Sequence, residues 1–171
     1  FSQGSFILLV ILFSFIFSLL IVISVYDVRH KIIPDKLSYL YAFVAFLSIF
    51  VNHTGIGPMF VMPSLLAMVS GPLFALPFAF LWLVSKGRWM GLGDAKLVLG
   101  IGWMLGPLAS LAMVTLSIWI GAVVSLAIML FSHKKMGMKT EIPFAPFLIV
   151  STLIVFFSGI DIFSLAALFH L

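Results

Sequence analysis

Charge is confined to a few short windows of this sequence, and that distribution constrains the fold more than any other feature. No Asp, Glu, Lys or Arg occurs from Phe1 to Tyr26, from Leu37 to Ser85 or from Leu97 to Ser132. An uncharged apolar run of about 20 residues is what a helix needs to cross a bilayer. A soluble domain carries roughly a quarter charged residues; here 8% are charged and 64% hydrophobic. A soluble globular chain is thereby excluded, and so is a disordered one, which would be polar and charge-rich. No Gly period or charged heptad marks a collagen-like or coiled-coil chain. An all-α polytopic membrane protein remains. The chain has no cysteine, so disulfides, thiolate zinc sites and a cysteine nucleophile are excluded. The first 26 residues lack a basic start and a small-residue cleavage site, so they read as a span rather than a signal peptide.

The uncharged runs divide at their turn-forming residues. Span 1 is expected near Phe6–Tyr26. The second run is too long for one span, and its middle, from Asn52 to Pro58, is polar and rich in Gly and Pro. It divides into Leu37–Val51 and Ser64–Ser85. The third run divides at Gly106-Pro107 into Ala95–Leu105 and Leu108–Phe131, and a last span begins near Ile142. About six spans result. The nine basic residues fall after span 1 (Arg29, Lys31, Lys36), between spans 3 and 4 (Lys86, Arg88, Lys96) and after span 5 (Lys134, Lys135, Lys139). The alternate connections hold none, so the positive-inside rule puts these clusters in the cytoplasm. Both termini are then expected on the non-cytoplasmic side. A net charge of +4 is explained by Lys and Arg facing anionic lipid, without nucleic acid. Span 4 is short, about 18 Å against a hydrocarbon core of about 30 Å; short helices at membrane depth are tolerated where they line a cavity.

The carboxylates carry the functional signal. Asp27 ends span 1 and Asp94 begins span 4, so the topology brings both to one membrane face. Ionisable groups at membrane depth are costly and mark function. Two carboxylates close together in a low-dielectric site cannot both ionise, so one stays protonated beside an ionised partner. That pair can activate water against a peptide carbonyl and protonate the leaving amine. The structural alternative pairs Asp27 with Arg29 or Lys31, and Asp94 with Lys96. Gly91-Leu92-Gly93-Asp94 puts two glycines before an acid at a helix start, which permits close backbone approach and unusual dihedrals. Pro34-Asp35 separates spans 1 and 2, with Asp35 as the expected N-cap.

These residues resemble the type IV prepilin peptidases. Three elements stand in the family's order: Asp27 with Ile33-Pro34-Asp35, then Gly91-Leu92-Gly93-Asp94-Ala95-Lys96-Leu97, then Ile142-Pro143-Phe144-Ala145-Pro146-Phe147. The resemblance runs from span 1 to span 6. It implies a GxGD-type aspartyl protease of the bacterial inner membrane, similar to preflagellin peptidases and presenilin-like proteases. Such enzymes remove a short basic leader from prepilins and pseudopilins at the cytoplasmic face, cutting after a Gly. Residue by residue, Asp27 and Asp94 are the implied catalytic aspartates. Gly91, Gly93, Lys96, Pro34, Pro143 and Pro146 are implied as motif support or substrate-binding residues. Many bacterial relatives carry a further N-terminal domain with CxxC pairs and a methyltransferase activity using S-adenosylmethionine. Without cysteines, residues 1–171 are expected to form a single transmembrane peptidase domain, with no cofactor.

The remaining polar residues read as structural. His53, His133 and His170 lack metal spacing, so no metal is expected. His30 reads as a solvated loop residue and Asp161 as an outer-loop acid. Ser14, Ser18 and Ser24 pack helices or bond back to their own backbone. Trp82, Trp89 and Trp103 fit interfacial belts. The segment Pro143–Phe147 is expected either as an edge for an extended peptide or as a plain helix start. A small proton- or cation-coupled transporter is the competing reading for the acids. An internal repeat would favour it, and none is visible.

Overall fold

A computed structural model describes residues 3–51, 60–88, 90–131 and 143–167. Its regular elements are α1 (Gln3–His30), α2 (Asp35–Ser48), α3 (Leu65–Ser85), α4 (Leu92–Leu105), α5 (Pro107–Phe131), α6 (Ala145–Ser158) and α7 (Ile162–Ala167). The fold is all-helical. The single extended pairing among the described residues is a bridge between Val51 and Phe60, on either side of the turn-rich segment.

Helix ends follow local chemistry. Pro34, at φ −64°, precedes the first turn of α2, where a missing N–H costs nothing. Ser64 caps α3 by accepting the Ala67 N–H at 3.2 Å. Gly106, at φ +75°, ends α4 and hands the chain to Pro107, which opens α5. Gly159, at φ +65°, ends α6. Asp161 then starts α7 by accepting the Ser164 N–H at 2.8 Å. The single last span expected from Ile142 is therefore corrected. It is helical from Ala145 and breaks into α6 and α7, because a left-handed Gly cannot continue a helix. Ile142 lies outside the described residues.

Length divides the helices into two groups. Helices α1, α3 and α5 have 28, 21 and 25 residues and are long and apolar enough to cross a membrane. Helices α2, α4 and α6 have 14 each, about 21 Å at 1.5 Å per residue. Of these, α4 is the most enclosed: it packs against α2, α3, α5 and α6. Helix α1 packs against α2 and α6 instead. Helices α2 and α6 are thus the two walls that α1 and α4 share, and the space between α1 and α4 is filled by core side chains such as Leu20, Ile23 and Ile101.

Small residues allow the tight packing around α4. A Cβ on Gly102 would meet the Cα of Gly71 at 2.8 Å, so α3 and α4 touch backbone to backbone. The Ser70 hydroxyl crosses this contact and donates to the Gly102 carbonyl at 2.8 Å. Pro72 lies inside α3 and, lacking an N–H, leaves the Met68 carbonyl without its intrahelical partner. The Trp103 indole N–H fills that place at 2.8 Å. Trp103 is therefore a pin between helices. Tyr41 of α2 is fully buried and its ring lies against Gly100 of α4.

Candidate active site

Asp27 sits in the last turn of α1. That turn closes when the Lys31 N–H donates to the Asp27 carbonyl at 2.7 Å, with Lys31 in the left-handed region at φ +54°. The chain then turns through Ile32 and Ile33 into Pro34. Asp94 sits in the first turn of α4, its N–H bonded to the Gly91 carbonyl at 3.3 Å. Both side chains are buried, with 5% of Asp27 and 8% of Asp94 exposed. Both line one cleft of about 520 Å³, with Lys31, Ile33, Arg88, Pro143 and Phe144 around it.

Each carboxylate also meets a backbone donor. The Ala145 N–H at the start of α6 faces Asp27, and the Gly91 N–H faces Asp94. The first turn of a helix has free N–H groups that favour an anion. Asp27 Oδ2 is buried and has no hydrogen-bond partner among the described residues. A buried polar oxygen left open in this way is an acceptor for water or substrate. No ion pair holds either aspartate among the described residues, so the structural alternative of pairing with Arg29, Lys31 or Lys96 is not what the structure shows.

The other motif residues have distinct positions. Gly93 packs on Ile33: a Cβ there would fall 2.7 Å from the Ile33 Cβ. The first and second motifs thus meet at this glycine. Gly91 is in ordinary extended backbone at φ −73° and ψ 148°. Neither glycine uses the unusual dihedrals expected of the pair; close approach at Gly93 is the physical requirement. Lys96 points away from Asp94 and pairs with Asp35, Nζ to Oδ1 at 2.6 Å. Asp35 makes no side-chain cap, which corrects its expected N-cap role.

Pro34 precedes α2, Pro143 lines the cleft, and Pro146 lies in the first turn of α6. The Phe147 N–H already bonds to the Phe144 carbonyl at 3.0 Å, so the segment is a helix start rather than an extended edge. Ala145 and Ile33 were not singled out as site residues from sequence. Only their places inside the first and third motifs signalled them.

Residues read as structural behave so where they are described. His30, expected in a loop, is instead the last residue of α1; it is exposed and stacks on Tyr26 with ring centroids 4.3 Å apart. Ser18 donates to the Ser14 carbonyl at 2.7 Å within its own helix. His53, Trp89, Lys134, Lys135, Lys139, His133, Glu141 and His170 lie outside the described residues. A larger cavity of about 740 Å³ lies at the other end of the bundle, lined by Phe13, Phe17, Phe156 and Phe157, with Asp161 its one acid. It lacks a second carboxylate, so the paired chemistry belongs to the smaller cleft.

Comparison with known proteins gives a consistent answer. The type IV leader peptidase family matches residues 14–126, which include both aspartates. A protein of Xanthomonas campestris pv. campestris named prepilin leader peptidase/N-methyltransferase is 32% identical over 145 residues. That alignment covers 84% of this chain and 48% of the relative, so the chain spans about half the length of the curated protein it matches. No solved structure matches. The chain belongs to the type IV leader peptidase family.

Proposed function

We propose that this member of the type IV leader peptidase family is an aspartic endopeptidase of the bacterial inner membrane. Its substrates are prepilins and pseudopilins, from which it removes a short basic leader. The observation that carries this reading is the burial of Asp27 and Asp94 in one cleft, each beside a backbone N–H at a helix start. One carboxylate takes a proton from water, and the hydroxide oxygen bonds to the scissile carbonyl carbon. The other, protonated, stabilises the oxyanion by hydrogen bonding and gives its proton to the amine as the C–N bond breaks. Residues 1–171 act as one peptidase domain. Helices α2, α4 and α6 join the three long helices as further spans, about six in all, with Asp161 and α7 beyond the end of the last. Both termini then lie outside, and the cleft faces the cytoplasm with Lys31 and Arg88.

Gly91 leaves the approach to Asp94 free of a side chain and Gly93 lets Ile33 pack against α4, while Pro34, Pro143 and Pro146 fix where α2 and α6 begin. The reading is tested by incubating the protein in liposomes with a prepilin and following the leader by mass spectrometry. Cleavage after a Gly in the leader supports it. Proton or cation flux without cleavage overturns it in favour of a transporter, a reading that no observation here favours.

A further inference from the structure

We infer that Lys96 and Asp35 are a positioning pair that sets the rotation of α4 and thereby aims Asp94 into the cleft. The inference rests on the peptidase reading for its kinetic consequence and on geometry for its structural one.

The outer and middle parts of α4 are already held. Gly102 and Trp103 lock onto α3, and Gly100 lies on Tyr41 of α2. Its inner end follows an irregular connection, with Lys86 and Gly87 at positive φ of 52° and 77°. Beside the core packing of Ala95, Leu97 and Val98, two contacts tie that end to the stretch that runs from the end of α1 into α2. One is Gly93 on Ile33, an apolar contact that resists compression but not sliding. The other is Lys96, whose ammonium bonds to Asp35 at 2.6 Å and sits 4.7 Å from the Tyr39 ring centroid. The ammonium is thus fixed from two sides, by a carboxylate and by a π face.

Helical geometry turns this tie into a constraint on Asp94. Residues two apart on a helix of 3.6 residues per turn point in nearly opposite directions. Asp35 itself lines the rim of the cleft, so anchoring Lys96 to it fixes the direction in which Asp94, two residues earlier, leaves the helix. Because α2 also packs on α1, the tie refers the Asp94 side chain to the same wall that borders Asp27. Lys96 is 15% exposed at its side chain and Asp35 69%. A pair this open adds little to global stability; its effect is on the orientation of a single short helix.

The test uses Lys96→Gln, Asp35→Asn and the exchanged double variant Lys96→Asp with Asp35→Lys. Two readouts are taken: kcat and KM for prepilin cleavage, and the distance distribution between spin labels on the exposed Phe43 of α2 and the half-buried Met104 of α4, which borders the larger cavity. The absence of native cysteine allows clean labelling. Each single change is expected to lower kcat about fivefold with KM nearly unchanged, and to broaden the label distances. The exchanged pair recovers most of both. Singles with wild-type kcat and wild-type distances overturn the inference, as does an exchanged pair that recovers neither. If the wild type cleaves nothing, the peptidase reading fails, and the label distances alone still decide whether the pair sets the α4 rotation.

Discussion

Gly93 and Ile33 are in contact so close that a Cβ on the glycine would lie 2.7 Å from the Cβ of the isoleucine. This is where the segment after Asp27 meets the helix that carries Asp94. A methyl group here has no room unless α4 moves away from the α1–α2 connection. Gly93→Ala is expected to destabilise the fold by about 1–3 kcal/mol as an overpacking change and to reduce cleavage strongly. At Gly91 the nearest atoms to an added Cβ are 3.8 Å away, at Asp94 Oδ2 and the Gly93 nitrogen. Gly91→Ala is therefore expected to unfold at nearly the wild-type temperature. Thermal unfolding of both variants in detergent checks the contrast.

Trp103 completes the hydrogen bonding that Pro72 leaves open on Met68. Trp103→Phe keeps a ring but removes the donor, and a helix carbonyl facing lipid, where no water can replace the lost partner, costs about 1–3 kcal/mol. The paired change Trp103→Phe with Pro72→Ala restores an intrahelical donor for Met68. It should recover much of the loss in the same unfolding measurement.

Tyr41 has the opposite character. It is fully buried and its hydroxyl has no partner among the described residues. Removing an unsatisfied buried hydroxyl relieves a desolvation cost. Tyr41→Phe is expected to leave stability unchanged or raise it by up to about 1 kcal/mol. A large loss of stability on denaturant titration would show that the hydroxyl has a partner in the membrane.

Asp161 lies in the connection between α6 and α7 and accepts two hydrogen bonds from Ser164, from N–H at 2.8 Å and from the hydroxyl at 2.7 Å. These hold its carboxyl below the usual carboxylate range. The sign follows from that direction. The cap is fully present above about pH 4, the ordinary value, and is lost as pH falls through the lower folded value. Hydrogen exchange of the α7 amides is expected to stay constant from neutral pH to about 4, after correction for intrinsic rates, and to accelerate below. In Asp161→Ala the acceleration is already present at neutral pH.

The helix pattern was largely legible because in lipid it is written as charge and turn residues. Pro34, Ser64, Gly106-Pro107 and the uncharged runs mark ends that the structure places within a few residues. The two aspartates were legible as well, because a carboxylate beside an apolar run is costly. What was hidden is pairwise. Nothing in the linear order shows that Lys96 reaches Asp35 rather than Asp94, that Gly93 rests on Ile33, or that Ala145 offers its N–H to Asp27. Those contacts depend on how α2 and α6 lie between α1 and α4. Nor does position alone, which suggests an interfacial belt for Trp103, show that its indole holds Met68. Its role became visible only with the carbonyl that Pro72 frees on a neighbouring helix.

The central claim is that Asp27 and Asp94 together activate water in the cleft they share. Prepilin cleavage by the wild type, Asp27→Asn and Asp94→Asn, each matched for membrane level and unfolding temperature, tests it most directly. Either substitution is expected to lower kcat at least a thousandfold, roughly 4 kcal/mol in barrier height, with substrate still retained by the inactive protein. Cleavage at wild-type rate by either well-folded variant would contradict the account.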